Sequence, residues 1–263
     1  MPRAKRYFLP GHIWHITHRC HKKEFLLKFS KDRQRWLELL FKSKKRYGLV
    51  VLDYIVTSNH IHLLVVGDGD RDTIPRSMQM VAGQTGQEYN RRKNRRGAFW
   101  EDRYHATAIE SGTHLIQCLV YIDMNMVRTG VVTHPSQWQW SGYNEIQHPK
   151  QRYAIIDYDR LYALFGLASV AQLTEVHKKM LEEALIVDRH KREAKWSQAV
   201  AVGSASYIEK IKKQLGMKVV HRKASCVGDG FELREEDAPY NTDSAPESER
   251  LRSNNSLSWD LSH

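Results

Sequence analysis

Leu49-Val-Val-Leu-Asp-Tyr-Ile-Val-Thr-Ser-Asn-His-Ile-His-Leu-Leu-Val-Val66 reads as two strands joined by a tight turn. The first run is β-branched and aromatic, Thr57-Ser58-Asn59 supplies turn residues, and His60 to Val66 returns as the second strand of a hairpin. Upstream, His12-Ile-Trp-His-Ile-Thr-His-Arg19 has the same strand character. Between these strands, Trp36, Leu37, Leu39, Leu40, Phe41 and Tyr47 mark an amphipathic helix over residues 31–47. Ser30 is its expected N-cap, and Gly48 stops it. Downstream, residues 74–92 read as a helix and 104–109 as a short strand. The order β-α-β-β-α-β predicts an α+β fold, a ferredoxin-like antiparallel sheet with helices on one face. A further helix from Thr113 to about Val127 packs beside it, with Arg128 in its last turn and Gly130 just beyond.

The chain has 263 residues and a formal net charge of +11, which points to a polyanionic partner. No apolar run reaches the roughly 18 residues of a membrane span, and no secretory signal is evident at the start. Cys20, Cys118 and Cys226 are odd in number and far apart, so they form neither a disulfide framework nor a zinc motif. A reducing cytoplasm is the expected location, with no membrane partner. Residues 229–263 hold nine Asp and Glu against three Arg, a net of −6, so residues 1–228 carry +17. Three regions are expected. Residues 1–145 form the main domain, 146–226 an aromatic-rich connector with accessory helices (174–195 and 204–215), and 227–263 an acidic disordered tail.

Two local patterns suggest chemistry. On a strand, His60 and His62 project to the same face. They can hold one metal ion, or they are two satisfied histidines on a wet sheet face. Tyr121 and Asn125 lie one helical turn apart. They pair a nucleophilic hydroxyl with an amide ligand, or they belong to an ordinary packed helix. The run Arg91, Arg92, Lys93, Arg95 and Arg96, together with Arg103 and Arg128, is either solvated surface charge or, with nucleic acid as the polyanionic partner, the candidate DNA-binding set. Trp14 and Trp100 either stack on bases or join the core. His15-Ile-Thr17 and His105-Ala-Thr107 also form two H-x-T motifs on strands, the pattern of a metal-free 2H phosphoesterase.

Taken together, these segments resemble the HUH single-tyrosine transposases, in particular the IS200-like REP-associated tyrosine transposases. The resemblance rests on Gly11-His-Ile-Trp-His-Ile-Thr-His-Arg19, Asn59-His-Ile-His-Leu-Leu64, Gly97-Ala-Phe-Trp-Glu-Asp-Arg-Tyr104 and Tyr121-Ile-Asp-Met-Asn-Met-Val-Arg-Thr-Gly-Val131. It spans about residues 5–145 and continues weakly into Ala201–Glu209. Met126 stands where the family usually has proline, which implies a slightly longer helix. The resemblance implies a bacterial, nucleoid-associated enzyme that cleaves and rejoins single-stranded DNA beside imperfect-palindrome, REP-like hairpins. His60, His62 and Asn125 would hold Mg²⁺ or Mn²⁺, and Tyr121 would form a 5′-phosphotyrosine. Monomer and homodimer both stay open, as does action of Tyr121 in cis or in trans. A non-catalytic DNA-binding regulator derived from a transposase is the main alternative.

Overall fold

The computed structural model describes residue 7 and residues 9–187, 193–219, 221–228 and 230–235. Its first six regular elements are β1 (Ile13–Arg19), α1 (Ser30–Tyr47), β2 (Val50–Val56), β3 (His60–Val66), α2 (Thr73–Arg92) and β4 (His105–Ile109). The strands pair antiparallel in the order β2-β3-β1-β4, which is the ferredoxin-like arrangement expected from the sequence. Phe29, in an extended conformation, caps α1, so Ser30 is its first helical residue. Gly48 ends the helix in the left-handed region, as a C-terminal glycine does.

Alternation along the strands separates the two faces of the sheet. Trp14, Ile16, Ile61 and Leu63 are buried on the face that carries α1 and α2. The two helices are joined where Arg92 pairs with the buried carboxylate of Asp32. The guanidinium of Arg33 donates to the Leu27 and Lys28 carbonyls and sits 3.8 Å from the Trp140 ring centre.

The two helices of the βαββαβ unit share one face as expected, and the third helix takes the other face. The helix α3 (Thr113–Asp123), continued after a kink at Met124 by α4 (Asn125–Arg128), covers the opposite face. Its composition requires this. Leu115, Cys118, Leu119, Val120, Tyr121 and Ile122 are buried all round the helix, so it needs cover on both sides. The sheet provides one side. The other comes from α7 (Val170–Ile186), whose Leu181 and Ala184 cluster with Val120, Met124 and Val127. Two short helices, α5 (Gly142–Gln147) and α6 (Tyr158–Leu164), intervene in the aromatic-rich connector. The α7 helix starts earlier than expected because the Ser169 side chain accepts from the Gln172 amide and caps it.

The C-terminal region is not a separate helical unit. After α8 (Lys195–Gln198), β5 (Ala201–Gly203) pairs parallel to β4 and extends the sheet. The helix α9 (Ala205–Leu215) follows, capped by Ser204. Then β6 (Arg222–Val227) and β7 (Gly230–Glu235) form a hairpin whose β7 joins β5, completing a seven-stranded order β2-β3-β1-β4-β5-β7-β6. Residues 230–235, expected in the acidic tail, are therefore a strand, because Leu233 faces inward and is fully buried. Val227, the first residue of that predicted tail, ends β6, and residues 236–263 lie outside the described residues.

Candidate functional site

Strand register builds one polar face. Arg19 stands opposite His60, and Thr17 stands opposite both His62 and His105, while His15 stands opposite Thr107. Paired residues of adjacent strands share a face. Three central strands therefore bring four histidines to one side of the sheet, and α3 with α4 lays Tyr121 and Asn125 across them. A cleft of about 670 Å³ opens there, lined by Arg19, His60, His62, Tyr121, Asn125 and Arg128 among others.

Each side chain is held by identifiable contacts. The His60 Nδ1 lies 2.9 Å from Thr57 Oγ1 and 2.7 Å from Asn59 Oδ1. The Thr57 hydroxyl itself donates to the His60 carbonyl, so Nδ1 of His60 is the donor and Nε2 its lone-pair nitrogen. His62 and Asn125 meet directly, with Asn125 Nδ2 at 3.1 Å from His62 Nε2. The amide oxygen of the same side chain, Asn125 Oδ1, is buried without a hydrogen-bond partner among the described residues. The Tyr121 ring is edge-on to His62 at 5.8 Å between centres. The Arg128 guanidinium lies 4.1 Å from the Tyr121 ring centre and donates to the Tyr121 carbonyl at 2.6 Å.

Burial and neighbouring cations set the electrostatics. Burial pushes His62 well below the ordinary histidine range, and nearby His15 and His60 add to the effect. Burial also pushes His15 down to about 3. Both imidazoles are neutral at pH 7 and keep lone pairs. Burial lowers the Arg128 guanidinium as well, although it stays charged.

The residues present fit a divalent cation. An orphaned amide oxygen and an imidazole lone pair adjoin each other, with the His60 ring 5.0 Å from that of His62. Among the described residues no cluster of three or more His, Cys, Asp or Glu forms, so such a site depends on the Asn125 amide as its third ligand.

The seven predicted DNA-binding residues divide into two groups. Arg103 and Arg128 line the cleft. Arg91, Arg92, Lys93, Arg95 and Arg96 lie around the C-terminal end of α2, on the other face of the sheet. Within that cluster, Arg92 is paired with Asp32, and Arg95 bonds the Ala98 carbonyl at 2.9 Å. Arg91 and Arg96 are exposed. Trp14 is core, and Trp100 is half-buried, with one ring face stacked on His18 and its indole N–H donating to the Ala82 carbonyl.

The H-x-T reading is not supported by this geometry. His15 is fully buried, with its nitrogens on the Trp196 carbonyl and His62. His105 Nε2 and Thr107 Oγ1 both bond the Ala199 carbonyl. A 2H centre needs both histidines facing the substrate, and the fully buried His15 does not, although His105 lines the cleft. Sequence reasoning passed over Arg19, although period-two alternation from His15 through Thr17 placed it on the same face. It also passed over His15 as a partner of His62, a contact visible only once the strand register is known.

Sequence comparison gives this arrangement of paired histidines and a tyrosine helix a family likeness. The family model "Transposase IS200 like" matches residues 9–125, a span that includes His60, His62 and Tyr121 and ends at Asn125. The match covers somewhat less than half of the 263 residues. No curated protein matches the chain significantly. Among solved structures, one similar chain is a REP-associated tyrosine transposase bound to a REP hairpin. It is 19% identical with a TM-score of 0.48, over 60% of this chain and 95% of that one. Another is a candidate transposase from Deinococcus radiodurans R1, 15% identical with a TM-score of 0.32, over 43% of this chain and 88% of that one. Among the described residues no helix is long and apolar enough to cross a membrane.

Proposed function

We propose that this protein is a metal-dependent single-stranded DNA endonuclease and strand transferase that acts through Tyr121. One observation carries the reading. Two motifs about 60 residues apart, His60-Ile-His62 and Tyr121 to Asn125, meet in one cleft beside Arg19, Arg103 and Arg128.

His60, His62 and Asn125 would hold Mg²⁺ or Mn²⁺, and a mixed nitrogen and oxygen ligand set suits Mn²⁺ better than Mg²⁺. The bound cation supplies Lewis-acid stabilisation of the charge that builds on the phosphate oxygens. The residues of this chain do the rest. Arg19, Arg103 and Arg128 draw the scissile phosphate into the cleft. The Arg128 guanidinium, 4.1 Å from the Tyr121 ring centre, holds the ring in place beside the histidines. The Tyr121 oxygen then bonds to phosphorus as the bond to the 3′ oxygen breaks. The tyrosine loses its proton, and the departing oxygen takes one up as a free 3′-OH. The 5′-phosphotyrosine keeps the phosphodiester energy, so a 3′-OH can later attack it and rejoin DNA without a nucleotide cofactor.

The resemblance to REP-associated transposases supports a hairpin beside the scissile strand as the preferred substrate. Labelled single-stranded hairpin DNA with Mn²⁺ tests the reading on a denaturing gel. Wild type should give a covalent adduct and Tyr121→Phe none. An adduct from Tyr121→Phe, or none from wild type on cognate DNA, refutes it. Tight binding without cleavage by wild type would favour a non-catalytic regulator.

A further inference from the structure

His15 and His62 lie on neighbouring strands of the same sheet face. Their rings are nearly parallel, 13° apart with centres 5.0 Å from each other. His15 Nε2 is 2.9 Å from His62 Nδ1, and His15 Nδ1 is 2.7 Å from the Trp196 carbonyl oxygen. These contacts fix the proton positions in sequence. A carbonyl oxygen only accepts, so His15 Nδ1 carries the proton. A neutral imidazole has one N–H, so His15 Nε2 is a lone pair and must itself accept. His62 Nδ1 is then the donor, which leaves His62 Nε2 as a lone pair. An independent contact agrees, because the Asn125 Nδ2 donor faces that nitrogen at 3.1 Å.

A charged His15 would reverse the chain and place a proton on His62 Nε2. The surroundings oppose that charge. Both rings are buried, and their hydrogen bonds run to the Trp196 carbonyl, to each other and to the Asn125 amide rather than to a carboxylate, although Glu101 and Asp102 line the same cleft.

We propose that His15 is a positioning residue that fixes His62 as the Nδ1–H tautomer and so presents its Nε2 lone pair to a divalent cation, with the Trp196 carbonyl anchoring the chain of hydrogen bonds. The inference rests on the assignment of His62 as a metal ligand made under Proposed function. It also gives the C-terminal part of the chain a role in the site, since Trp196 lies beyond the matched domain of residues 9–125. A ligand histidine whose second nitrogen is held in this way is oriented before the metal arrives, and loss of such a partner typically weakens metal binding about 10–100-fold.

The test has two readouts, neither of which needs turnover. The first is the tautomer of His15 and His62 in the metal-free, full-length protein, read from two-bond nitrogen–proton correlations in NMR. Both rings should carry the proton on Nδ1. The second is Mn²⁺ affinity by calorimetry. His15→Phe keeps the ring but removes the acceptor. It should move His62 toward the Nε2–H form and weaken Mn²⁺ about 10-fold or more. His15→Gln, whose amide oxygen can stand near the Nε2 position, should restore part of the affinity. If His15→Phe does not fold, the wild-type tautomer alone decides. Wild type that binds Mn²⁺ yet has His62 protonated on Nε2 when metal-free overturns the inference and leaves the proposed function intact. The same holds for unchanged Mn²⁺ affinity in a folded His15→Phe. Wild type that shows the expected tautomer but binds no Mn²⁺ overturns the metal assignment of His62, and the role of His15 with it.

Discussion

Replacing His177 by leucine should loosen the helix that carries Tyr121. His177 lies on α7 and Asp123 at the end of α3, and both side chains are fully buried. The Gln147 amide nitrogen is 2.9 Å from His177 Nδ1 and can only donate, so His177 Nε2–H donates to Asp123 Oδ2 at 2.8 Å. Burial pushes the Asp123 carboxyl up, against the His177 hydrogen bond and a backbone hydrogen bond from Tyr143. His177→Leu would therefore leave Asp123 Oδ2 buried without its side-chain donor. Breaking a buried pair by removing one partner costs about 3–5 kcal/mol. The lower end applies here because burial already moves Asp123 toward its neutral form, which gives about 3 kcal/mol, or a melting temperature lower by about 6–12 °C. The double replacement Asp123→Leu with His177→Leu should recover much of that loss, since neither member of the buried pair is left without the other. Thermal melts followed by circular dichroism measure both effects. Adduct formation should fall with the single variant, because Asp123 lies between Tyr121 and Asn125 on the chain. A single variant within about 1 kcal/mol of wild type, or a double variant no more stable than the single, refutes the account.

Stability should also depend on pH through His15. Its folded value of about 3 lies below the unfolded 6.5, so stability is complete above pH 6.5 and declines as the pH falls toward 3. At pH 5 the loss from this residue is about 2 kcal/mol. Buried Asp53, pushed up by burial, acts in the opposite sense, so the measured quantity is the difference in urea midpoint shift between wild type and His15→Phe. Equal shifts in the two proteins would contradict the neutral buried state. Substituting both Arg91 and Arg96 by alanine should lower the slope of log affinity against log salt for single-stranded DNA by about 1.4. An unchanged slope would place the DNA elsewhere. Arg128→Lys should reduce the adduct rate at least about tenfold, because an ammonium cannot stack flat on Tyr121 as a guanidinium does. A wild-type rate would remove Arg128 from the chemistry.

The central strands were legible because their apolar alternation and turn residues are local. His60 and His62 were legible for the same reason, since a period of two puts them on one face. The strand β5 was not. Ala201-Val-Gly203 is three residues long, and its pairing with β4 supplies the order that its sequence lacks. Neither was β6, whose Arg222-Lys-Ala-Ser-Cys-Val227 is mostly exposed and has no apolar face to read. The tyrosine helix was visible, but its placement on the opposite face followed only from its all-round burial. The contribution of Trp196 is a main-chain carbonyl, which every residue possesses and no sequence pattern can mark.

Trp196 also bears on the order in which the protein is made. His15 enters the ribosome's exit path early, yet its carbonyl partner is 181 residues further along the chain. Both β5 and β7, which close the sheet beside that carbonyl, follow later still. Contacts of such long sequence separation form late. A nascent chain that already contains His60, His62 and Tyr121 therefore lacks the carbonyl that orients His15. A chain cut short before Trp196 would hold the proposed ligands and the tyrosine without the contact that orders them.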